Sequence, residues 1–138
     1  MPESAEHLAL VAHIVRHIER EFRASSGLVI LTDLPESKPQ DKPPRVGGYA
    51  PDVYAVDVPC TFAVIGEAKT ADDLPSTHSR DQIRAFLEFL RFKQRGILVL
   101  AVPWQCVASA QIVVSSVRRS VSGNLDHIQV VILDGITQ

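Results

Sequence analysis

Apolar residues recur at helical spacing near the start of the chain. Over residues 5–23 every third or fourth position is apolar, and arginines occupy other positions around the predicted helix. Such spacing places the apolar side chains on one face of an amphipathic helix. The Ser25-Ser26-Gly27 sequence predicts its end. The apolar positions are Leu8, Val11, Ile14, Val15, Ile18 and Phe22.

Short apolar runs after this helix predict three strands. The first covers residues 28–31, and the second and third cover residues 53–58 and 61–68. The turn at Pro59 is short, so the second and third strands are predicted to form an antiparallel pair. Residues 32–48 are rich in proline and mixed charges, which predicts a loop. A loop of that length is typical of functional or mobile segments.

The second half of the chain alternates between helical and strand patterns. Ser79 to Gln82 has a capping-box pattern, which predicts a second helix that runs to about Arg95 and is closed by Gly96. The apolar face of this helix comprises Ile83, Phe86, Leu87 and Leu90. The remaining predicted elements are a strand over 97–102, a helix over 105–120 and a strand over 128–133.

This order of elements predicts an α/β fold in which helices flank a central mixed sheet. At 138 residues, with 46% apolar and 22% charged residues, the chain is predicted to form a single domain over 1–138. Cys60 and Cys106 are predicted to be buried, reduced thiols. The sequence contains no apolar run long enough to cross a membrane and no basic leader before an apolar segment. A soluble protein of the cytoplasm, without a membrane partner, is therefore expected.

Two carboxylates and an amine lie at the start of the second predicted strand and at the end of the third. Asp52 directly precedes the second strand, and Glu67 and Lys69 lie at the end of the third. Because side chains alternate along a strand, Glu67 and Lys69 share one face. A simple ion pair would explain them, although desolvating two charges makes such a pair costly to keep for stability alone. Carboxylates that converge from neighbouring strands also suit a magnesium-type ion, which prefers oxygen ligands.

Three segments around these residues carry a wider resemblance. The chain reads G-G-Y-A-P-D-V-Y-A-V-D at 47–57, T-F-A-V-I-G-E-A-K-T at 61–70 and S-R-D-Q-I-R-A-F-L at 79–87. This region, residues 47–90, resembles the PD-(D/E)xK nucleases, a restriction-endonuclease-like superfamily that includes archaeal Holliday-junction resolvases and VRR-type nucleases. The predicted order αβββαβαβ is similar to the common core of that superfamily.

The resemblance implies a metal-dependent phosphodiester hydrolase, a DNA endonuclease of repair, recombination, phage defence or restriction. It implies that Asp52 and Glu67 bind Mg²⁺ or Mn²⁺ and that the backbone carbonyl of Ala68 completes the shell. Lys69 would orient the attacking water, and Gln82 would approach the site from the second helix. Gln82 could equally be no more than the capping partner of Ser79. Nuclease domains of this size also suggest a homodimer.

Many relatives add an acid from the first helix, and Glu6 and His7 are the candidates for that position. His7 falls on the apolar face of the predicted helix, whereas Glu6 falls to its side. His7 is either a core histidine or a replacement for the family's glutamate, and one acid fewer favours a single metal ion. Asp57 lies five positions after Asp52, on the opposite face of the strand, and is excluded from the site.

The formal net charge of -2 is low for a protein that binds DNA, because phosphate neutralisation by Lys and Arg supplies most of the non-specific affinity. A catalytically silent module that binds nucleic acid or a protein partner is therefore the alternative function. The retained Asp, Glu and Lys favour the enzyme. Basic residues are expected along the second helix, as a solvated face or a nucleic-acid contact. They are Arg80, Arg84, Arg91, Lys93 and Arg95.

Overall fold

The computed structural model describes residues 4–22 and 27–135. The predicted order of helices and strands is confirmed. The predicted stop of the first helix at Ser25-Ser26 and its last arginine, Arg23, lie outside the described residues. The helices are α1 (Ala5–Glu21), α2 (Thr77–Leu90) and α3 (Val107–Ser120). The strands are β1 (Val29–Thr32), β2 (Val53–Val56), β3 (Phe62–Ala68), β4 (Arg95–Val102) and β5 (Ile128–Asp134).

The five strands form one mixed sheet in the order β1-β2-β3-β4-β5. The β1–β2 and β2–β3 pairs are antiparallel, as the short turn at Pro59 predicted for the second of them. The β3–β4 and β4–β5 pairs are parallel, and α2 and α3 are the connections between them. The carboxyl ends of β3, β4 and β5 and the beginning of β2 therefore lie at the same end of the sheet.

Helices cover both faces of the sheet. The buried side chains of α1 pack with one set of strand residues, and α2 and α3 pack with the other set. Every residue of β3 is buried, as expected for a strand at the centre of a two-sided core. On the α1 face the core includes Val11, Ile14, Ile18, Val53, Val64, Ile97 and Val99. On the other face it includes Ile65, Ile83, Phe86, Leu90, Leu98, Val113 and Val117.

Helix α1 packs very closely on the sheet at Gly66. A Cβ atom at that position would lie 2.6 Å from Cγ2 of Ile14 and 3.1 Å from Cβ of Val53. Ile14 and Val53 are both fully buried, so neither side chain has open space into which it could move. The absence of a side chain at Gly66 thus sets the distance between α1 and β3.

The boundaries of α2 differ from the prediction. The N-cap is Ser76, whose hydroxyl oxygen accepts a hydrogen bond of 3.1 Å from the Ser79 amide. Ser79 lies inside the helix, and its hydroxyl donates to the Asp73 carbonyl at 2.7 Å. The capping box predicted at Ser79 is therefore wrong, because a serine three residues earlier supplies the cap.

The helix also ends earlier than predicted, at Leu90 rather than near Arg95. The amides of Gln94 and Arg95 both donate to the carbonyl of Thr61, at 2.9 and 3.2 Å, which draws this segment into the sheet beside β3. Gly96 consequently belongs to β4 and does not close the helix.

The turn between β2 and β3 differs from the prediction at Cys60. Cys60 is exposed and has a φ of 61°, whereas Cys106 is buried as predicted. Asp57 stabilises this turn, since its Oδ1 atom accepts from the amides of Thr61 and Phe62 at 2.9 and 3.2 Å. Asp57 thus lies at the end of β2 away from Asp52, in agreement with its exclusion from the site.

The long connection between β1 and β2 contains a short 3₁₀ turn over Pro39–Asp41 and an isolated bridge between Val46 and Tyr49. Within residues 4–22 and 27–135, no helix is long and apolar enough to cross a membrane.

Candidate functional site

The end of the sheet at which β2 begins and β3 finishes carries a cluster of buried polar side chains. Asp52 directly precedes β2, Glu67 is the penultimate residue of β3, and Lys69 follows that strand. The antiparallel register, in which Val53 pairs with Gly66, brings these positions together. The two carboxylates and the amine of the sequence motif are therefore neighbours in the fold.

Two hydrogen bonds between side chain and backbone hold the carboxylates of Asp52 and Glu67 in fixed positions. The Ala68 amide donates to Oδ2 of Asp52 at 2.8 Å. In return, the Asp52 amide donates to Oε1 of Glu67 at 3.2 Å. Each strand thus binds the carboxylate of the other, and the arrangement is set by main-chain atoms.

Lys69 connects this pair of carboxylates to α2. Its Nζ atom lies 3.2 Å from Oε2 of Glu67. The same ammonium group donates a hydrogen bond to Oε1 of Gln82, which lies on α2. Because Ser76 caps the helix, Gln82 is free of the capping role and its side chain is available to Lys69.

The cluster is almost fully shielded from solvent. The exposed fractions of Asp52, Glu67, Lys69 and Gln82 are 7%, 4%, 6% and 6%. Together with Ser79 they are the buried polar or charged residues in the part of the chain that the structure describes. Buried charges are costly unless they are paired, so the concentration of these residues at one point makes it the prime candidate for a functional site.

Burial is the largest influence on the protonation of Glu67. Desolvation of its side chain, followed by repulsion from the Asp52 carboxylate, raises the pKa of Glu67 from 4.5 to about 8. The nearby Lys69 ammonium opposes this rise, as do the hydrogen bonds from the Asp52 amide and from Lys69. With both carboxyl groups ionised, the cluster would hold more negative charge than one lysine can offset in a buried environment, so Glu67 retains its proton to a higher pH.

Helix α1 brings His7 to the site but leaves Glu6 outside it. The Nε2 atom of His7 lies 3.3 Å from Oδ1 of Asp52. Glu6 is exposed on the first turn of α1. Ser4 caps this helix by accepting from the His7 amide at 3.1 Å, which fixes the first turn and with it the position of the imidazole. The predicted positions around the helix are therefore correct, since His7 faces inward and Glu6 lies to the side.

The donor groups at the site can be compared with the needs of a divalent cation. Within residues 4–22 and 27–135, no three His, Cys, Asp or Glu side chains are grouped so that they could hold a metal ion. A third ligand would have to be a backbone oxygen. The Ala68 amide points to Asp52, and in an extended strand the carbonyl of a residue leaves on the same side as its amide. Two carboxylates, one carbonyl and several waters form a ligand set that Mg²⁺ or Mn²⁺ accepts.

Ser79 is a buried polar residue whose role the sequence pattern did not identify. Through its bond to the Asp73 carbonyl it anchors the segment that follows Lys69. This segment turns sharply, with the Leu74 amide donating to the Thr70 carbonyl at 3.1 Å. Ser79 lies on the same side of α2 as the apolar residues, and this position could have indicated a buried role. The capping-box pattern instead assigned Ser79 to the helix cap.

An aromatic pair connects the segment before β2 to the start of α2. Tyr49 and His78 pack edge to face, with their ring centroids 5.4 Å apart. Tyr49 precedes Asp52 by three residues, and His78 lies in the first turn of α2. This contact therefore ties the segment that leads to Asp52 to the helix that carries Gln82.

The basic residues expected along α2 differ from the prediction in their contacts and positions. Arg80 and Arg84 donate to Ser116 and Ser120 of α3 at 3.4 and 3.2 Å, so they connect the two helices. Arg91, Lys93 and Arg95 follow the end of α2 and lie at the opposite end of the sheet from the site. These three residues form no row of cations beside the cluster.

Comparisons with known proteins assign no family to the chain. No protein-family model matches it, and no curated protein matches it. Among solved structures it is similar to SfsA of Pyrococcus furiosus, whose structure was determined in complex with Ca²⁺, with a TM-score of 0.48 and 16% sequence identity. The similarity covers 89% of this chain and 55% of that chain, so this chain spans about half the length of SfsA. Similarity at this level carries no conclusion about activity or ligands.

Proposed function

We propose that the protein is a metal-dependent phosphodiester hydrolase of the PD-(D/E)xK type that acts on nucleic acid, with DNA as the expected substrate. The observation that carries this proposal is the buried cluster of Asp52, Glu67 and Lys69, in which each strand binds the carboxylate of the other. These residues match the order and spacing of the nuclease motif in the sequence.

A divalent cation is the expected cofactor, because two buried carboxyl groups converge at the cluster. Asp52 and Glu67 would hold Mg²⁺ or Mn²⁺ together with the Ala68 carbonyl. When bound, the ion would polarise the scissile phosphate and acidify a water. The raised pKa of Glu67 supports this proposal. Burial and the Asp52 carboxylate destabilise the ionised form of Glu67, and a nearby cation would stabilise that form.

Lys69 is proposed to act on the reacting groups. Its ammonium is held between Glu67 and Gln82, so that its position does not depend on solvent. From there it can donate a hydrogen bond to the attacking water or to a phosphate oxygen on which negative charge develops. Gln82 is a positioning residue in this scheme, because it contacts the ammonium of Lys69. His7 has the equivalent role for Asp52.

A catalytically silent binding module is the second candidate function, and one observation favours it. All four oxygens of Asp52 and Glu67 already have a partner within the protein: the Ala68 and Asp52 amides, Lys69 and His7. A cluster that satisfies its own polar groups can be stable without a metal. Measurements of metal binding and of cleavage together distinguish this function from the enzyme.

The test compares the wild-type protein with Asp52→Asn and Glu67→Gln, which preserve side-chain shape. Calorimetric titration with Mg²⁺ and Mn²⁺ measures binding, and cleavage is assayed on duplex, branched and single-stranded DNA. Glu88→Gln is the matched control, because Glu88 is exposed on α2. The proposal requires binding and cleavage by the wild type and the control, and the loss of both in the two site variants. A folded wild type that binds neither ion and cleaves no substrate would overturn it.

A further inference from the structure

Trp104 is exposed at the same end of the sheet as the candidate site. It belongs to the 3₁₀ turn Trp104–Cys106, which follows β4 directly. The exposed fraction of this residue is 61%, although tryptophan is among the side chains that gain most from burial. It is also the single tryptophan in the sequence. A large aromatic surface is therefore left open to solvent at a defined position.

The register of β3 and β4 places Trp104 close to the catalytic cluster. Ala68 pairs with Ala101, and the Lys69 amide donates to the Ala101 carbonyl at 3.0 Å. Trp104 follows Ala101 by three residues, just beyond the end of β4 at Val102. The register places Val102 opposite Lys69, about 4.8 Å away, and Trp104 is two residues further along, so its backbone lies within roughly 12 Å of that of Lys69.

The backbone around Trp104 is held firmly in place. The Cys106 amide donates to the Pro103 carbonyl at 2.8 Å, and Cys106 is buried under the start of α3. The Gly135 amide donates to the Val102 carbonyl at 2.6 Å, which ties the end of β4 to the segment after β5. The indole is therefore presented from a fixed turn between a buried strand and a long helix.

We propose that Trp104 stacks on an unpaired base next to the scissile phosphate, and that the substrate is single-stranded or splayed nucleic acid. This inference rests on the proposed nuclease function. Bases in an intact duplex are stacked on one another and offer no free face, whereas unpaired bases stack readily on aromatic side chains. One nucleotide beside the cleaved bond spans a distance comparable with that between Lys69 and Trp104.

The charges near Trp104 favour contact with a base over contact with the phosphate backbone. Asp134 is exposed at the end of β5 and is the register partner of Val102. Its carboxylate would repel a phosphate but has little effect on a neutral base. The first turn of α3 contains no acidic residue that would repel the incoming strand.

The test uses the single tryptophan as a reporter of binding. A thymidine oligonucleotide and a blunt duplex of equal length are titrated, at one fixed salt concentration, into the Lys69→Met variant, which is expected to cleave DNA only slowly. Stacking is expected to quench the Trp104 fluorescence with the single strand and to leave it almost unchanged with the duplex. A quench of equal size with the two forms would overturn the inference.

Variants at Trp104 then measure the contribution of stacking to affinity, with labelled oligonucleotides followed by fluorescence anisotropy. Trp104→Ala is expected to weaken single-strand binding about 5-fold to 150-fold, the effect of losing one stacked base. Trp104→Phe should retain part of this affinity. Phe92→Ala is the matched control and should bind normally, since Phe92 is 78% exposed but lies between α2 and β4, at the opposite end of the sheet.

The outcomes separate this inference from the proposed function. Cleavage of DNA with unchanged single-strand affinity in Trp104→Ala would overturn the stacking role and leave the nuclease intact. A wild-type protein that neither binds nor cleaves any nucleic acid would overturn both, and would leave a protein partner as the reason for the exposed indole.

Discussion

The Ala68 amide donates a hydrogen bond of 2.8 Å to Oδ2 of Asp52, so the backbone of β3 holds the carboxylate that precedes β2. The opposite bond, from the Asp52 amide to Glu67, closes a ring of contacts between the two strands. These contacts give Asp52 a structural role in addition to its proposed role as a metal ligand. Variants can separate the two roles.

Asp52→Ala is expected to reduce the free energy of unfolding by about 1–3 kcal/mol relative to Asp52→Asn, because alanine leaves the buried Ala68 amide without an acceptor. The asparagine side-chain oxygen can keep that bond. Both variants should lose metal binding, since both lack the carboxylate charge. Urea unfolding and calorimetry measure the two effects separately. Equal stability of the variants would mean that the bond to Ala68 contributes little.

The pKa of Glu67 predicts how stability changes with pH in the metal-free protein. Its folded-state pKa of about 8 lies above the unfolded value of 4.5. Between these pH values the folded protein retains a proton that the unfolded chain has released. The free energy of unfolding should therefore fall as pH rises from about 4.5 to about 8, by at most about 1.4 kcal/mol per pH unit, and should level off above that range.

Glu67→Gln removes this titrating group and should remove its part of the pH dependence. The measurement is urea unfolding of the wild type and the variant at several pH values between 4.5 and 9, in the presence of a chelator. All other groups titrate in both proteins, so the difference between the two curves reports Glu67. Parallel curves would show that Glu67 is ionised throughout this range.

Lys69→Met is expected to lower the cleavage rate by about 100-fold or more, because the variant lacks the charge that the proposed mechanism places beside the reacting phosphate. Methionine retains most of the apolar stem, so the core around it should remain packed. Lys93→Met is the control, since Lys93 lies at the opposite end of the sheet and bonds the Cys60 carbonyl. Single-turnover cleavage rates provide the comparison. Full activity of Lys69→Met would remove Lys69 from the mechanism.

His7→Ala should weaken metal binding about 10-fold to 100-fold, which is the usual effect of removing a side chain that orients a metal ligand. The physical reason is the contact between His7 Nε2 and Asp52 Oδ1, at 3.3 Å. His13→Ala serves for comparison, because His13 is half-buried on the same helix. Titration of both variants with Mn²⁺ measures the effect. If the two variants behave alike, the effect belongs to the helix and not to this contact.

Gly66→Ala should destabilise the fold by about 1–3 kcal/mol, because the added methyl group would overlap with Ile14. Enlarging the space by Ile14→Ala should relieve part of this cost. The double variant is therefore expected to be more stable than the sum of the two single changes predicts. Chemical unfolding of the four proteins completes this cycle, and strict additivity would contradict a direct contact between the two positions.

The sequence patterns predicted the order of the elements, because the helices have an apolar period and the strands are short apolar runs between polar segments. Side-chain parity also predicted that Glu67 and Lys69 share a face, and the helical period placed His7 toward the core. These predictions depend on local geometry alone. They required no knowledge of which elements pack together.

The predictions failed where the structure depends on contacts between residues distant in sequence, or on an unusual backbone conformation. Ser76 and Ser79 can both cap a helix, and the turn around Asp73 selects the first. The end of α2 depends on the Thr61 carbonyl, which belongs to another part of the sheet. Cys60 has an apolar neighbourhood in the sequence, but its left-handed conformation in a tight turn directs it to solvent. The contacts of the α2 arginines could not be predicted without knowing that the serines of α3 lie beside them.

The strands of the sheet lie in the same order as they occur along the chain. Asp52, Glu67, Lys69 and Gln82 therefore come from strands and a helix that follow one another, and bringing such neighbours together costs little chain entropy. His7 is different, since it reaches Asp52 only after α1 has packed across the sheet at Gly66. The carboxylates and the lysine are therefore joined by contacts between neighbouring elements, whereas the contact of the histidine depends on the packing of the first helix.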